Sequence, residues 1–142
     1  MLVSSATPLA VLAFDYGTRR VGVAGGNTIT RSATPLAAIA AEGDARFTAI
    51  ARLIADWRPD VLVVGVPRHP DGAAHDNTRR AERFARQLRG RFGLAVHEVD
   101  ERYSTTEART LLGRGGAAEP AGRDIDAVSA AVILEQFLNS GE

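Results

Sequence analysis

Three groups of carboxylates stand where an apolar run ends or a helical pattern opens: Asp15, Asp100 with Glu101, and Asp124 with Asp126. In an open α/β sheet, sites form beyond the carboxyl ends of the strands, so these are places where chemistry can be assembled. Each has an ordinary explanation when taken singly. Asp15, ahead of Tyr16-Gly17, can start a turn. Asp126 can cap a helix, and Asp100-Glu101-Arg102 can be a surface ion pair of small energetic weight. Taken together they suggest something else, because converging carboxylates repel one another unless a cation neutralises them. A hard divalent ion such as Mg²⁺, held by carboxylates and substrate phosphates, suits that arrangement.

The basic residues point the same way. All 17 are arginine, with no lysine, and they balance 17 acidic residues to a formal net charge of zero. Residues 79–91 alone hold six arginines against one glutamate, a local charge of +5. Arg79, Arg83 and Arg86 fall at i, i+4 and i+7, opposite the apolar stripe of the same segment. Such a face is either solvated or laid against a nucleic-acid backbone. With Arg19, Arg20 and Arg102 near the carboxylates in sequence, a phosphodiester substrate joins the two charge patterns. Other chemistries fall away. Without lysine there is no Schiff-base amine, and without cysteine no disulfide, thiolate zinc site or thiol nucleophile. His69, His75 and His97 lack ligand spacing, and no Rossmann or Walker fingerprint is present.

The elements that must position these groups follow from periodicity. Val11–Phe14 is a continuous apolar run, as in a strand covered on both faces, and Val21–Ala24 is a second strand after a turn. Ala33–Leu36 reads as a third, edge strand, since Pro35 cannot donate to a central ladder. Phe47, Ile50, Ala51, Ile54 and Trp57 then make a helical stripe, followed by a buried strand at Val61–Val64. Ala81, Phe84, Ala85 and Leu88 make a second stripe after a loop at Pro67–His75, and Leu94–Val96 with Val99 a fifth strand. Ser104–Glu107 has the form of a capping box, residues 113–122 a loop, and Ala127, Ala130, Ala131, Leu134 and Phe137-Leu138 mark a last helix. The expected architecture is α/β: an antiparallel meander, then strand–helix alternation, giving a five-stranded mixed sheet with helices on both faces. Residues 1–9 read as a loose leader and 10–142 as a single domain of ordinary soluble composition, 45% hydrophobic and 24% charged. No stretch approaches the roughly 18–20 apolar residues that span a bilayer, so no membrane partner and a cytoplasmic location are expected.

Four segments, in order, carry a family resemblance: Phe14-Asp-Tyr-Gly-Thr-Arg-Arg-Val-Gly-Val23; Val64-Gly-Val-Pro67 with Asp71-Gly72; Asp100-Glu-Arg102 with Thr105-Thr106 and Ala108; and Asp126 with Ala130-Ala131 and Ile133-Leu134. Over essentially residues 10–138 the chain resembles the YqgF/RuvX family, Holliday-junction-resolvase-like proteins associated with maturing the 5′ end of pre-16S rRNA. The resemblance implies an RNase H-like fold and a metal-dependent nuclease. Its acidic positions match Asp15, Glu101 and Asp126, which would hold two Mg²⁺ or Mn²⁺ ions with Asp15 bridging them. Asp100 is then structural and Asp124 a fallback ligand. Arg19 keeps the charge of a position that is usually lysine, whereas Arg68-His69-Pro70 and Tyr103 depart from the family pattern.

The expected substrate contacts are Arg19, Arg102, Thr105, Arg79, Arg83 and Arg86, although Thr105 also belongs to the helix-opening box. The substrate implied is pre-rRNA, with ribosomal particles as partners. The alternative is branched DNA cut by a Holliday-junction resolvase, which needs two active sites and hence a homodimer rather than a monomer. A further alternative is a module that grips structured nucleic acid without cutting it. The Asp15–Thr18 turn also resembles the phosphate loop of actin-like ATPases, but these need a second large domain that 142 residues cannot supply.

Overall fold

The computed structural model of the chain describes residues 9–17, 19–67, 76–100 and 122–139. Five strands, β1 (Ala10–Asp15), β2 (Val21–Asn27), β3 (Ala33–Ile39), β4 (Val61–Val66) and β5 (Ala95–Asp100), form one sheet in the order β3-β2-β1-β4-β5. The first three pair antiparallel, and β4 and β5 add in parallel to the other side of β1. Among the described residues three helices accompany them: α1 (Gly43–Trp57), α2 (Asp76–Phe92) and α3 (Gly122–Leu138). This is the mixed five-stranded sheet expected from the meander and the change of period. The capping box at Ser104–Glu107, residues 113–121 of the expected loop and residues 1–8 of the expected leader lie outside the described residues. Leu9, read as leader, is held in place: its amide donates to the Thr28 hydroxyl at 3.0 Å and its carbonyl accepts from the Thr28 amide at 3.1 Å.

Strand alternation divides the core between the two faces. Leu12, Phe14, Val23, Leu62 and Val64 pack with Phe47 and Ile50 of α1 and Phe84, Ala85 and Leu88 of α2. Val11, Ala13, Ala24 and Val63 pack with Ala130, Ala131, Ile133, Leu134 and Leu138 of α3. β1 is therefore buried on both faces, which is why it reads as an unbroken apolar run.

Several boundaries differ from the periodicity. β2 runs on through Gly25-Gly26 to Asn27, because an added side chain at Gly26 would meet the Ser32 carbonyl at 2.4 Å and the Leu134 side chain at 3.1 Å. These glycines extend the strand by letting a neighbouring strand and helix approach. Pro35 sits at the register shift between Val23 and Ala24 on the edge strand, where no ladder bond is required of it. Trp57, on the expected apolar stripe, is half exposed at the last turn of α1, while Arg46 near its first turn is buried. Gly122, read as the last loop residue, is the first of α3.

Candidate active site

Asp15 is the last residue of β1 and continues the alternation of Val11 and Ala13, which places it on the α3 side of the sheet. Its neighbours across both ladders are glycines, Gly22 on β2 and Gly65 on β4. Cross-strand partners share a face, so neither adjoining strand puts a side chain beside the Asp15 carboxylate. At Gly22 the space is taken by a helix instead. An added Cβ there would fall 1.9 Å from the Asp126 carbonyl oxygen and 3.1 Å from the Ala127 nitrogen. Directly opposed residues of an antiparallel pair have Cα atoms only about 4.5–5.5 Å apart, so the glycine that faces Asp15 also seats the backbone of Asp126. This contact brings two acidic positions, distant in sequence, to one end of the sheet.

Asp126 lies inside α3, past its first residues, so it is not the N-cap that its sequence allowed. Its Oδ2 accepts a hydrogen bond from Nε of Arg20 at 2.7 Å, with both side chains part-exposed. The basic pair Arg19-Arg20 offers two equivalent cations in sequence; the approach of α3 to β2 selects Arg20. Arg19 is exposed. Asp100 alternates with Val96, which packs on the α1–α2 side, so it stands on the opposite face from Asp15.

Glu101, Arg102 and Thr105 lie outside the described residues, as does the side chain of Asp124. Among the described residues no three His, Cys, Asp or Glu side chains form a group that could hold a metal ion. Asp15 and Asp126 carry carboxylates, the kind of hard oxygen donor that Mg²⁺ and Mn²⁺ favour.

The arginines of α2 separate into paired and unpaired groups. Arg79 meets Asp76 at 3.3 Å, Arg89 meets Glu98 at 3.3 Å and the Val96 carbonyl at 2.8 Å, and Arg91 meets Asp44 at 3.4 Å. Arg91 also lies 4.0 Å from the centroid of the Phe47 ring. Arg80, Arg83 and Arg86 make no ion pair among the described residues. Of the three arginines expected on one substrate-facing stripe, Arg79 is thus engaged locally, whereas Arg83 and Arg86 are exposed and open.

Comparison with known proteins places these observations in a family. The family described as "RuvX: Holliday junction resolvase" matches residues 9–140. A protein of Polaromonas sp. with the name "Putative pre-16S rRNA nuclease" is 64% identical over 129 residues, covering 91% of this chain and 87% of the relative. A relative of the same name from Burkholderia pseudomallei is 53% identical over 131 residues, with 91% and 87% covered. Among solved structures, T. thermophilus RuvC in complex with a Holliday junction substrate aligns with a TM-score of 0.58 at 17% identity, covering 93% of this chain and 94% of that one. The yeast mitochondrial Holliday junction resolvase Ydc2 aligns with the same TM-score of 0.58 at 10% identity, covering 90% and 77%. At such identities the likeness is one of fold, and it is the RuvC-like, RNase H-type arrangement of sheet and helices.

Proposed function

The chain belongs to the RuvX family, and on that premise we propose that it is a divalent-metal-dependent nuclease that processes the 5′ end of pre-16S rRNA. The observation that carries the reading is the packing of the Asp126 backbone on Gly22, the β2 residue paired with Asp15, at the carboxyl end of the central strand. Aspartates brought to one end of a sheet offer the hard oxygen donors that a divalent cation takes. Glu101 completes the set we assign, as the acidic residue that directly follows Asp100 in the family motif.

Asp15, Glu101 and Asp126 would hold Mg²⁺ or Mn²⁺, which when bound activates water and stabilises the leaving oxygen of a phosphodiester. The chain's own groups do the rest. Arg20 neutralises Asp126 and fixes its carboxylate against the sheet. Arg19, at the same turn, and Arg102, beside Glu101, supply cations for the phosphates on either side of the cut, and Thr105 a hydroxyl for the backbone. Residues 10–142 act as one nuclease domain working in the cytoplasm on RNA bound in ribosomal precursors. No helix among the described residues is long and apolar enough to cross a membrane.

The test offers a pre-16S 5′-leader RNA and a four-way DNA junction to the wild type and to Asp15→Asn, with Mg²⁺ or Mn²⁺. Metal-dependent cutting of the RNA, lost in the variant, is the expected result. Symmetric nicking of the junction alone would replace RNA processing by junction resolution and make a homodimer necessary. Binding without cutting would replace the enzyme by a non-catalytic module.

A further inference from the structure

We propose that the cavity between the opening turns of α1 and α2 is a phosphate-binding subsite that takes one nucleotide unit of a nucleic-acid strand. It has a volume of about 450 Å³, within the range of small-ligand pockets. β3 runs parallel to β1, both being antiparallel to β2, so α1 begins at the same end of the sheet as Asp15. α2 begins there as well, with the Thr78 hydroxyl donating to the carbonyl of Pro67 just past β4. The cavity therefore opens at the sheet edge that carries the carboxylates, but on the other face. Tyr16 joins the two: it follows Asp15 directly and its ring packs on Phe84 at 5.1 Å between centroids.

The charge of the cavity is one-sided. Among the described residues, Arg46, Arg80 and Arg83 line it against one carboxylate, that of the exposed Glu42. Arg46 is 6% exposed, and its Nε donates to the Ala41 carbonyl at 2.9 Å, which fixes the guanidinium 5.5 Å from the Tyr16 centroid. Arg80 and Arg83, at i and i+3 on α2, are two of the arginines that make no ion pair among the described residues, while Arg79, Arg89 and Arg91 outside the cavity do. Guanidinium groups gathered in this way are suited to phosphate oxygens, and the aromatic walls of Tyr16 and Phe47 to a sugar or base. The assignment takes its source of phosphate from the nuclease reading; the cavity and its charge stand apart from whether the protein cuts.

The experiment uses Asp15→Asn without added metal, so that binding is read in the absence of cleavage. A fluorescently labelled single-stranded RNA is titrated by anisotropy over a salt series, in that background and with Arg80→Gln/Arg83→Gln or Arg89→Gln/Arg91→Gln added. The cavity pair is expected to weaken binding about tenfold and to reduce the slope of log affinity against log salt by about 1.4, two phosphates at about 0.7 each. The outer pair, with equal charge lost from the same helix, is expected to change affinity less than threefold. Equal losses from both pairs, or none from either, would overturn the proposal.

Adenosine monophosphate and the RNA are then compared by NMR at the Tyr16 ring and the arginine Nε signals. Saturable shifts with the mononucleotide show that a free nucleotide can fill the site; shifts with RNA alone assign it to the substrate strand; shifts with neither overturn it. Cleavage by the wild type is scored separately. A protein that cuts nothing but keeps the difference between the two arginine pairs loses the nuclease reading and retains this site.

Discussion

A methyl group at position 22 would fall 1.9 Å from the carbonyl oxygen of Asp126, far inside any real contact, and the atoms it meets are backbone that cannot swing aside. Gly22→Ala is therefore expected to push α3 away from β2, with a loss of about 1–3 kcal/mol from overpacking. A urea melt reads the stability, and the same preparation should show cleavage reduced well beyond the unfolded fraction, because Asp126 moves with the helix. Asp15→Asn should do the reverse, abolishing cleavage while leaving the melt nearly unchanged; near-normal turnover would place the active site elsewhere. Arg20 offers a finer test. Its ion pair with Asp126 is part-exposed on both sides, so Arg20→Ala should cost less than about 1 kcal/mol. Removing the competing cation should tighten Mn²⁺ binding measured by calorimetry, and unchanged affinity would mean that Asp126 is not a ligand.

At the scale of elements, the order of the sheet follows from which strands are apolar throughout. β1 and β4 are central and read as unbroken apolar runs, whereas β3, at one edge, carries Pro35 and is mostly half-buried. α2 is joined to the sheet through Phe84, whose ring meets Phe14 at 6.0 Å, Tyr16 at 5.1 Å and Phe47 at 5.9 Å. One side chain thus links α2, α1 and the end of β1. Phe84→Ala should cost about 3–5 kcal/mol, and a loss below 1 kcal/mol in a denaturant melt would show that this junction does not hold α2 to the sheet. α3 is held differently, by small residues: Gly22 and Gly26 on β2 admit it, and Ala130 and Ala131 face the sheet.

For the molecule as a whole, a formal net charge of zero conceals a polarised edge. β1, β4 and β5 all end there, and the starts of α1 and α2 together with the Asp126 turn of α3 converge on it, with Asp15 and Asp126 on one face and the arginine-lined cavity on the other. The two apolar clusters lie on opposite faces of the sheet and include neither Asp15 nor Asp126. Chelation with EDTA is accordingly expected to abolish cleavage while shifting the thermal melt by no more than a few degrees. A collapse of the fold on chelation would assign the metal a structural role instead.

The sequence by itself determined the elements, because periodicity and apolar runs are local properties of the chain. Asp15 and Asp126 were legible too, one at a strand end and the other in a motif of the family; Glu101 stands on the family motif alone. Tertiary structure decided what sequence spacing cannot encode. Arg19 and Arg20 are chemically equal neighbours, and only the docking of α3 gives Asp126 to Arg20. Gly25-Gly26 lies beyond the expected end of the second strand at Ala24, yet it continues β2, where Leu36 of β3 and Leu134 of α3 approach too closely for side chains. Arg46, a charged residue near the start of α1, is buried with its guanidinium 5.5 Å from the ring of Tyr16 just past β1. In each case the deciding neighbour is far away along the chain, and its distance in space is set by how helices seat on a twisted sheet.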